Sequence, residues 1–298
     1  MSPYLIMFSG NLINGVILGS VYGMMTIGLS LIFGVLRIVN VGHGAFVMIG
    51  AYIAFWCFTL LGISPLLSIP ISVILGLSLG LVFFYAVIKR LREAPELTTL
   101  LATFAIGILL EEGAKFLWGP DYMGFNWEVG KLVLPVTTIP VSKVYALFAS
   151  ITIVTALYLW FKKGRSGTAI RAVIEDTEGA YVCGINVDGI YALSFAIGVG
   201  LTVVGGTLLT LFIPVGINPY MGGVYTLKAF VIAVLGGLGS PWGAFLAGFI
   251  FGVIENGSYT FFSLIPIFEP FSMTQFLAFF LLLIILLFKP TGILGGKS

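Results

Sequence analysis

Few residues in this chain are able to do chemistry, since only 9% of its 298 residues are charged and it holds one His. The informative ones stand inside long apolar runs, where a charge is costly and needs a reason. Glu111 and Glu112 end one such run, with Lys115 one turn later. On a helix Glu111 and Lys115 fall at i,i+4 and can pair, so an interfacial ionic cluster is the simpler reading beside a functional carboxylate. Glu255 and Asn256 lie late in another run, where they either line a pathway or sit at an interface. Asn40 and His43 share the turn Asn40-Val41-Gly42-His43-Gly44. A His can sense pH or bind metal, but with no His or Cys nearby a hydrogen-bonded turn residue is the simpler role. All four, Asn40, His43, Glu255 and Asn256, are carried forward as candidates for a pathway or gate.

Other chemistries lack their residues. No G-x-x-x-x-G-K-[ST] loop is present, so ATP hydrolysis by that route is not expected of this chain. Neither a nucleophile elbow nor a zinc-protease helix occurs, so neither an enzyme nor a bound cofactor is expected. Cys57 lies in an apolar run and Cys183 in a polar one, which gives no case for a disulfide or a metal site. A net charge of +2 gives no nucleic-acid footprint.

The longest polar stretch, 162–189, reads KKGRSGTAIRAVIEDTEGAYVCGINVDG. Its basic residues could simply anchor a loop. Yet it carries both signs of charge, 168–175 has helical propensity, 178–183 can form a second short helix, and Gly184 stands where a helix C-cap belongs. A helix–break–helix of this kind suits docking into a groove on another protein.

These residues must be positioned by membrane helices. Hydrophobic residues make up 59% of the chain and the mean hydropathy is +1.14, too apolar to cover a water-facing shell. The expected fold class is all-α, a polytopic integral membrane protein in a single domain over 1–298 with the polar loop at about 162–189. A span needs about 20 apolar residues. Eight clear spans fit, at 11–34, 44–61, 66–88, 97–117, 141–161, 190–212, 243–262 and 272–288, and 224–235 reads as a short or broken ninth. The opening MSPYLIMFSGNLING lacks a basic n-region and a small-residue cleavage site, so the first run is expected to stay as a helix.

Basic residues orient the spans. Lys89, Arg90 and Arg92 follow the third, and Lys162, Lys163, Arg165 and Arg171 follow the fifth, so both clusters fall on one side, the cytoplasm. Counting back puts the N-terminus outside. Counting forward puts Lys289 and Lys297 inside only if 224–235 crosses, which favours nine crossings. The loop 118–140, with Asp121, Glu128 and Lys131, then lies outside. The implied location is the plasma (cell inner) membrane.

Small residues recur at helical spacing: Gly15, Gly19 and Gly23; Gly76 and Gly80; Gly248 and Gly252. Such stripes let backbones approach closely, either for static packing or as a sliding face for gating. A faint internal echo, Gly44-Ala45-Phe46 against Gly243-Ala244-Phe245, fits the two-repeat construction of many transporters.

Four segments carry a resemblance to a known family. They are Gly28–Leu36 (GLSLIFGVL) with Val39-Asn40-Val41-Gly42-His43-Gly44-Ala45-Phe46 and Gly50-Ala51-Tyr52; Gly167-Thr-Ala-Ile-Arg-Ala172 with Asp176, Ala180, Gly184 and Ile185; Lys228-Ala-Phe through Leu235-Gly-Gly-Leu-Gly-Ser240 and Gly243-Ala244; and Lys289-Pro-Thr-Gly-Ile-Leu-Gly295. In this order, over nearly the whole chain, they resemble a permease subunit of the branched-chain amino acid ABC importers. The resemblance implies a second, homologous permease, two cytoplasmic ATPases that use the ATP, and an external substrate-binding protein, all around a lipid-embedded path. It also implies that the 162–189 loop couples to the ATPase through Gly167, Arg171, Asp176, Ala180, Gly184 and Ile185. Here Glu175 precedes the Asp and Gly179 precedes Ala180, where small or alanine-like residues are more usual. Alternatives are a permease of the same family for urea, short amides or another amino acid, and a proton- or sodium-driven transporter. The latter usually places a carboxylate at mid-span, and none stands there clearly.

Overall fold

The computed structural model describes residues 3–92, 94–134, 137–265, 267, 269–289 and 292, with side chains from residue 7 onward. Lys297 and most of the 289–295 segment lie outside the described residues. The helices are α1 (Pro3–Leu36), α2 (His43–Leu61), α3 (Ile69–Leu91), α4 (Glu96–Trp118), α5 (Val141–Lys163), α6 (Arg165–Glu175), α7 (Thr177–Val182), α8 (Val187–Leu209), α9 (Met221–Gly236), α10 (Pro241–Ser263) and α11 (Pro270–Phe288). Four short strands join them at one end: β1 (Met123–Gly124), β2 (Lys131–Val133), β3 (Thr138–Pro140) and β4 (Val215–Ile217). β2 and β3 pair antiparallel, and β1 pairs antiparallel with β4, Met123 facing Ile217.

Seven of these helices are long and apolar enough to cross a membrane. That is one fewer than the eight spans expected. The difference is α4, whose 23 residues include Glu96, Glu111, Glu112 and Lys115 and so break the apolar run. It nevertheless runs deep along α2, from Gly107 beside Gly42 to Trp118 stacked on Tyr52 at 4.2 Å. The short segment 224–235 is part of α9, a helix of 16 residues. At 1.5 Å per residue it is about 24 Å long, less than the roughly 30 Å hydrocarbon core. One feature had no sequence signal: α3 widens into a π-turn at Phe84–Ile88.

The bundle is centred on α1 and α8, whose spans are the most buried. They meet where Met25 lies against Gly205 and Gly28 against Gly198. α3, α5 and α11 form the outer shell and present apolar side chains outward, α11 most of all. A helix that is apolar all round belongs in lipid or against another apolar surface.

Helix ends sort the loops onto two faces. On one, Arg92 and Lys89 at the end of α3 bind Asp188 at the start of α8 at 2.5 and 3.1 Å. On that face too, Trp242 packs its ring against Phe161 and Tyr158 of α5, and Gly239 lies on Gly34. On the other, Asn11 Nδ2 donates to Thr260 Oγ1 at 2.7 Å and the four strands gather. The basic clusters thus share one face, and α9 returns the chain to it.

Candidate functional site

Two helices begin inside the bundle rather than at its surface. After α1 the chain runs unwound through 37–42 before α2 starts at His43, which is fully buried. Backbone polar groups at that depth need partners, because no water is available to them. Threonines supply them. Thr103 Oγ1, on α4, accepts from the Val41 N–H at 3.1 Å and lies 3.0 Å from the Val39 carbonyl. Thr226 Oγ1, on α9, accepts from the Gly44 N–H at 2.8 Å. The first turn of α9 lies directly on that of α2, so close that a Cβ at Gly44 would overlap the Gly222 carbonyl. Such interrupted helices, meeting end to end, are how many transporters build a site within the membrane. A groove of about 260 Å³ opens beside this junction, bordered by Gly42, Ala45, Gly107, Glu111, Gly222 and Gly223.

Asn40 and His43 sit in the junction. Asn40 is 1% exposed and its Nδ2 has no partner among the described residues. His43 Nδ1 is 3.4 Å from Thr202 Oγ1, while Nε2 has none among them. The echo between 44–46 and 243–245 does not mark the junction, since α10 starts at the basic face and α2 within the bundle.

Glu255 is the residue the sequence placed least well. Its carboxylate lies inside the bundle with a side chain 16% exposed, and its Oε1 accepts from Lys228 Nζ on α9 at 2.5 Å. Lys228 also donates to Tyr22 Oη at 3.0 Å and stands over the rings of Tyr22 and Tyr225 at 5.2 and 5.3 Å. The sequence left open whether this carboxylate lines a pathway or sits at an interface; it lies past the middle of its helix, inside the bundle, neutralised by a lysine. Lys228 was visible as the one basic residue in the run 224–235. Asn256 does not join them, for its Nδ2 turns back onto the Gly252 carbonyl of its own helix at 3.0 Å. Glu111 and Lys115 are 3.8 Å apart, but Lys115 binds Glu112 more closely and covers the Tyr220 ring at 4.9 Å.

The polar stretch forms α6 and α7 outside the bundle. Asp176 caps α7, its Oδ1 accepting from the N–H groups of Glu178 and Gly179 at 3.0 Å. Gly184 follows at φ +81°, a left-handed conformation glycine takes without strain. Gly167, Ile170, Val173 and Ala180 are buried, and Ile185 packs against the same core. The Arg171 guanidinium donates to the Phe161 carbonyl at the end of α5 and, at 3.1 Å, to Thr168 Oγ1. Most of the family-matched positions thus hold the helix pair on the bundle. Glu175 is exposed, and so are Ile174, Tyr181 and Val182, the last two at 73% and 83%.

The glycine stripes face one another. A Cβ at Gly15 would lie 2.6 Å from the Gly252 carbonyl oxygen, one at Gly19 2.6 Å from that of Gly248, and one at Gly23 2.5 Å from that of Phe245, so α1 and α10 touch backbone to backbone. Gly76 and Gly80 of α3 meet Gly200 and Ala196 of α8 at 2.9 and 2.6 Å in the same sense.

Residues 11–286 match the family of the permease component of branched-chain amino acid transport systems, and the chain belongs to that family. It is a multi-pass membrane permease component of an ABC-type transport system. It is 31% identical over 309 residues to the high-affinity branched-chain amino acid transport system permease protein LivH of Salmonella typhimurium, covering 99% of this chain and 98% of that one. It is 32% identical over 307 residues to the corresponding permease protein BraD of Pseudomonas aeruginosa, covering 98% and 97%. Among solved structures, PsaBC from Streptococcus pneumoniae in complex with Fab matches at a TM-score of 0.53 and 16% identity, over 94% of this chain and 92% of that one, a likeness of fold.

Proposed function

We propose that this chain forms half of the translocation path of an ATP-driven importer of branched-chain amino acids. A homologous permease supplies the other half, two cytoplasmic ATPases supply the energy, and an extracytoplasmic binding protein delivers the ligand. The ligand class rests on the permease relatives, which are named for branched-chain amino acid transport and span the whole chain. The basic face is cytoplasmic, with the N-terminus outside and the C-terminus inside.

One observation carries the coupling role. The α6–α7 pair is fastened to the bundle by its buried side, while Ile174, Tyr181 and Val182 stand exposed beyond the basic face. Large apolar groups so placed fit the groove of a cytoplasmic partner. Closure of an ATPase dimer would then push a rigid pair, and the backbone contacts of α1 with α10 would carry the shift inward.

The test is uptake of leucine into proteoliposomes holding the full complex. Val182→Asp is expected to cut ATP-driven uptake at least about tenfold by removing a docking contact worth about 1.4 kcal/mol or more. Membrane insertion stays intact. Wild-type uptake by this variant would refute the docking role. Arg171→Glu is expected to uncouple transport too, but by releasing α6 from Phe161, so it also loosens the helix pair. The purified chain alone is expected to show no ATPase activity, and turnover would count against the division of labour.

A further inference from the structure

Lys143 stands where a lysine is poorly placed. It lies in the first turn of α5, at the positive end of the helix dipole, and no side chain caps that turn. Its Nζ donates to Asn14 Oδ1 at 3.4 Å and stands over the Phe212 ring at 5.4 Å, and no carboxylate binds it among the described residues. Ser142 beside it is 7% exposed, and its hydroxyl has no hydrogen-bond partner among the described residues. A cation, an uncapped helix start and an unused hydroxyl together suit an anion.

Both side chains line a cavity of about 330 Å³ at the strand face, between the first turn of α5, the end of α8 and the segment 125–131. Its other charged groups are Glu128, which accepts from Asn126 Nδ2 at 2.8 Å, and Lys131. Two lysines against one carboxylate leave the cavity net positive. Trp127 lines it with its ring 6.2 Å from that of Tyr145, and both are ring types that settle at the level of lipid head groups. Below it an apolar groove of about 280 Å³ follows α8 between α3 and α5, lined by Val73, Leu77, Ile153, Leu157 and Leu201. Trp127 and Phe212 of the cavity belong to one apolar cluster with Ile153, Leu157 and Leu201 of the groove, so the two are continuous. Ile153 lies on the same face of α5 as Ser142, about 16 Å down the axis. That is the depth an acyl chain reaches through half of a roughly 30 Å hydrocarbon core. α3 and α5 are outer-shell helices that present apolar side chains outward. We propose that a phospholipid of the leaflet at the strand face docks here, its phosphate on Lys143 and Ser142 and one acyl chain in the groove. A lipid supplies an anion and an apolar chain in one molecule, at the depth where each is matched.

The experiment uses the full complex in detergent, with native mass spectrometry counting the dioleoyl phosphatidylglycerol held by this chain as the lipid is titrated. Wild type is expected to fill one tight site. Lys143→Met is expected to weaken it about 10- to 100-fold, the value of a charge-assisted hydrogen bond, and Lys143→Arg to restore it. Removing a cation from the positive end of a helix does not weaken the helix, so the methionine variant should melt no lower than wild type. Ser142→Ala gives a second, milder reading of the same anion contact. Val73→Trp, at the outer side of the groove, should weaken the dioleoyl lipid while leaving its dioctanoyl form, too short to fill the groove, unchanged. Tight binding that survives both Lys143→Met and Ser142→Ala would overturn the proposal. Inorganic phosphate that displaces the lipid head group and binds as tightly by itself would reduce the cavity to a free-anion site and overturn it too. A Lys143→Met complex that keeps its lipid but loses the extracytoplasmic binding protein would assign the cavity to a protein partner instead.

Discussion

At the scale of single residues, the unwound entry to α2 depends on two threonines. Thr226 Oγ1 takes the Gly44 N–H, and Thr103 Oγ1 takes that of Val41. Thr226→Val keeps the shape and removes the acceptor, leaving a buried N–H unpaired. That omission costs about 1–3 kcal/mol. The melting temperature of the purified protein in detergent should fall accordingly, and Thr226→Ser should restore most of it. A valine variant that melts with the wild type would show that the junction is held by packing alone. Neither threonine was marked by the sequence, because a lone Thr in an apolar run has no pattern. Lys228 is a different omission. It interrupts a short apolar run, a signal present in the sequence, but its partner is 27 residues away on another helix and no periodicity links them. Asn40 and His43 were legible as a polar turn before a helix. That the turn lies inside the bundle followed only from which helices pack around it.

At the scale of elements, the glycine stripes were legible because four-residue spacing is a property of one helix. Which stripe meets which was not, since that is set by the packing of the whole bundle. The structure joins Gly15, Gly19 and Gly23 to Gly252, Gly248 and Phe245 along almost the full contact of α1 with α10. The neighbours there are backbone atoms and cannot move aside as a flexible side chain would. Gly19→Val therefore forces the two helices apart, at a cost of about 1–3 kcal/mol or more. Gly113 has open space around it, so Gly113→Ala should be neutral or slightly stabilising through helix propensity. Yield of folded protein in detergent and its melting temperature separate the two. Equal behaviour of both variants would mean that α1 and α10 slide freely. Helix boundaries were read to within a residue at α4, 97–117 against Glu96–Trp118, and to within three at α9. The start of α1 was read least well, at 11 rather than Pro3, because Ser9, Gly10 and Asn11 interrupt the apolar run there.

At the scale of the whole molecule, the remaining question of orientation can be put to the two native cysteines. Cys57 is buried within α2, whereas Cys183 is exposed at the end of α7. On the proposed orientation α7 lies at the cytoplasmic face, on the side where Lys89, Arg92, Lys162 and Lys163 gather. A membrane-impermeant maleimide should thus label Cys183 in inside-out vesicles and leave it untouched in right-side-out ones. Cys57 should stay unreacted until the protein is denatured. An added Arg90→Cys should follow Cys183, and an added Glu128→Cys should show the opposite sidedness, because Glu128 lies in the segment of strands at the far face. Labelling of Cys183 from outside would invert the molecule and detach the coupling argument from it. The same residue reports on docking. Cys183 adjoins Tyr181 and Val182, the exposed pair assigned to the cytoplasmic partner, so assembly with the ATPase should slow its labelling severalfold, and Val182→Asp should relieve that protection. Protection that survives the substitution would place the partner elsewhere on the basic face, with the helix pair left as a brace between α5 and α8.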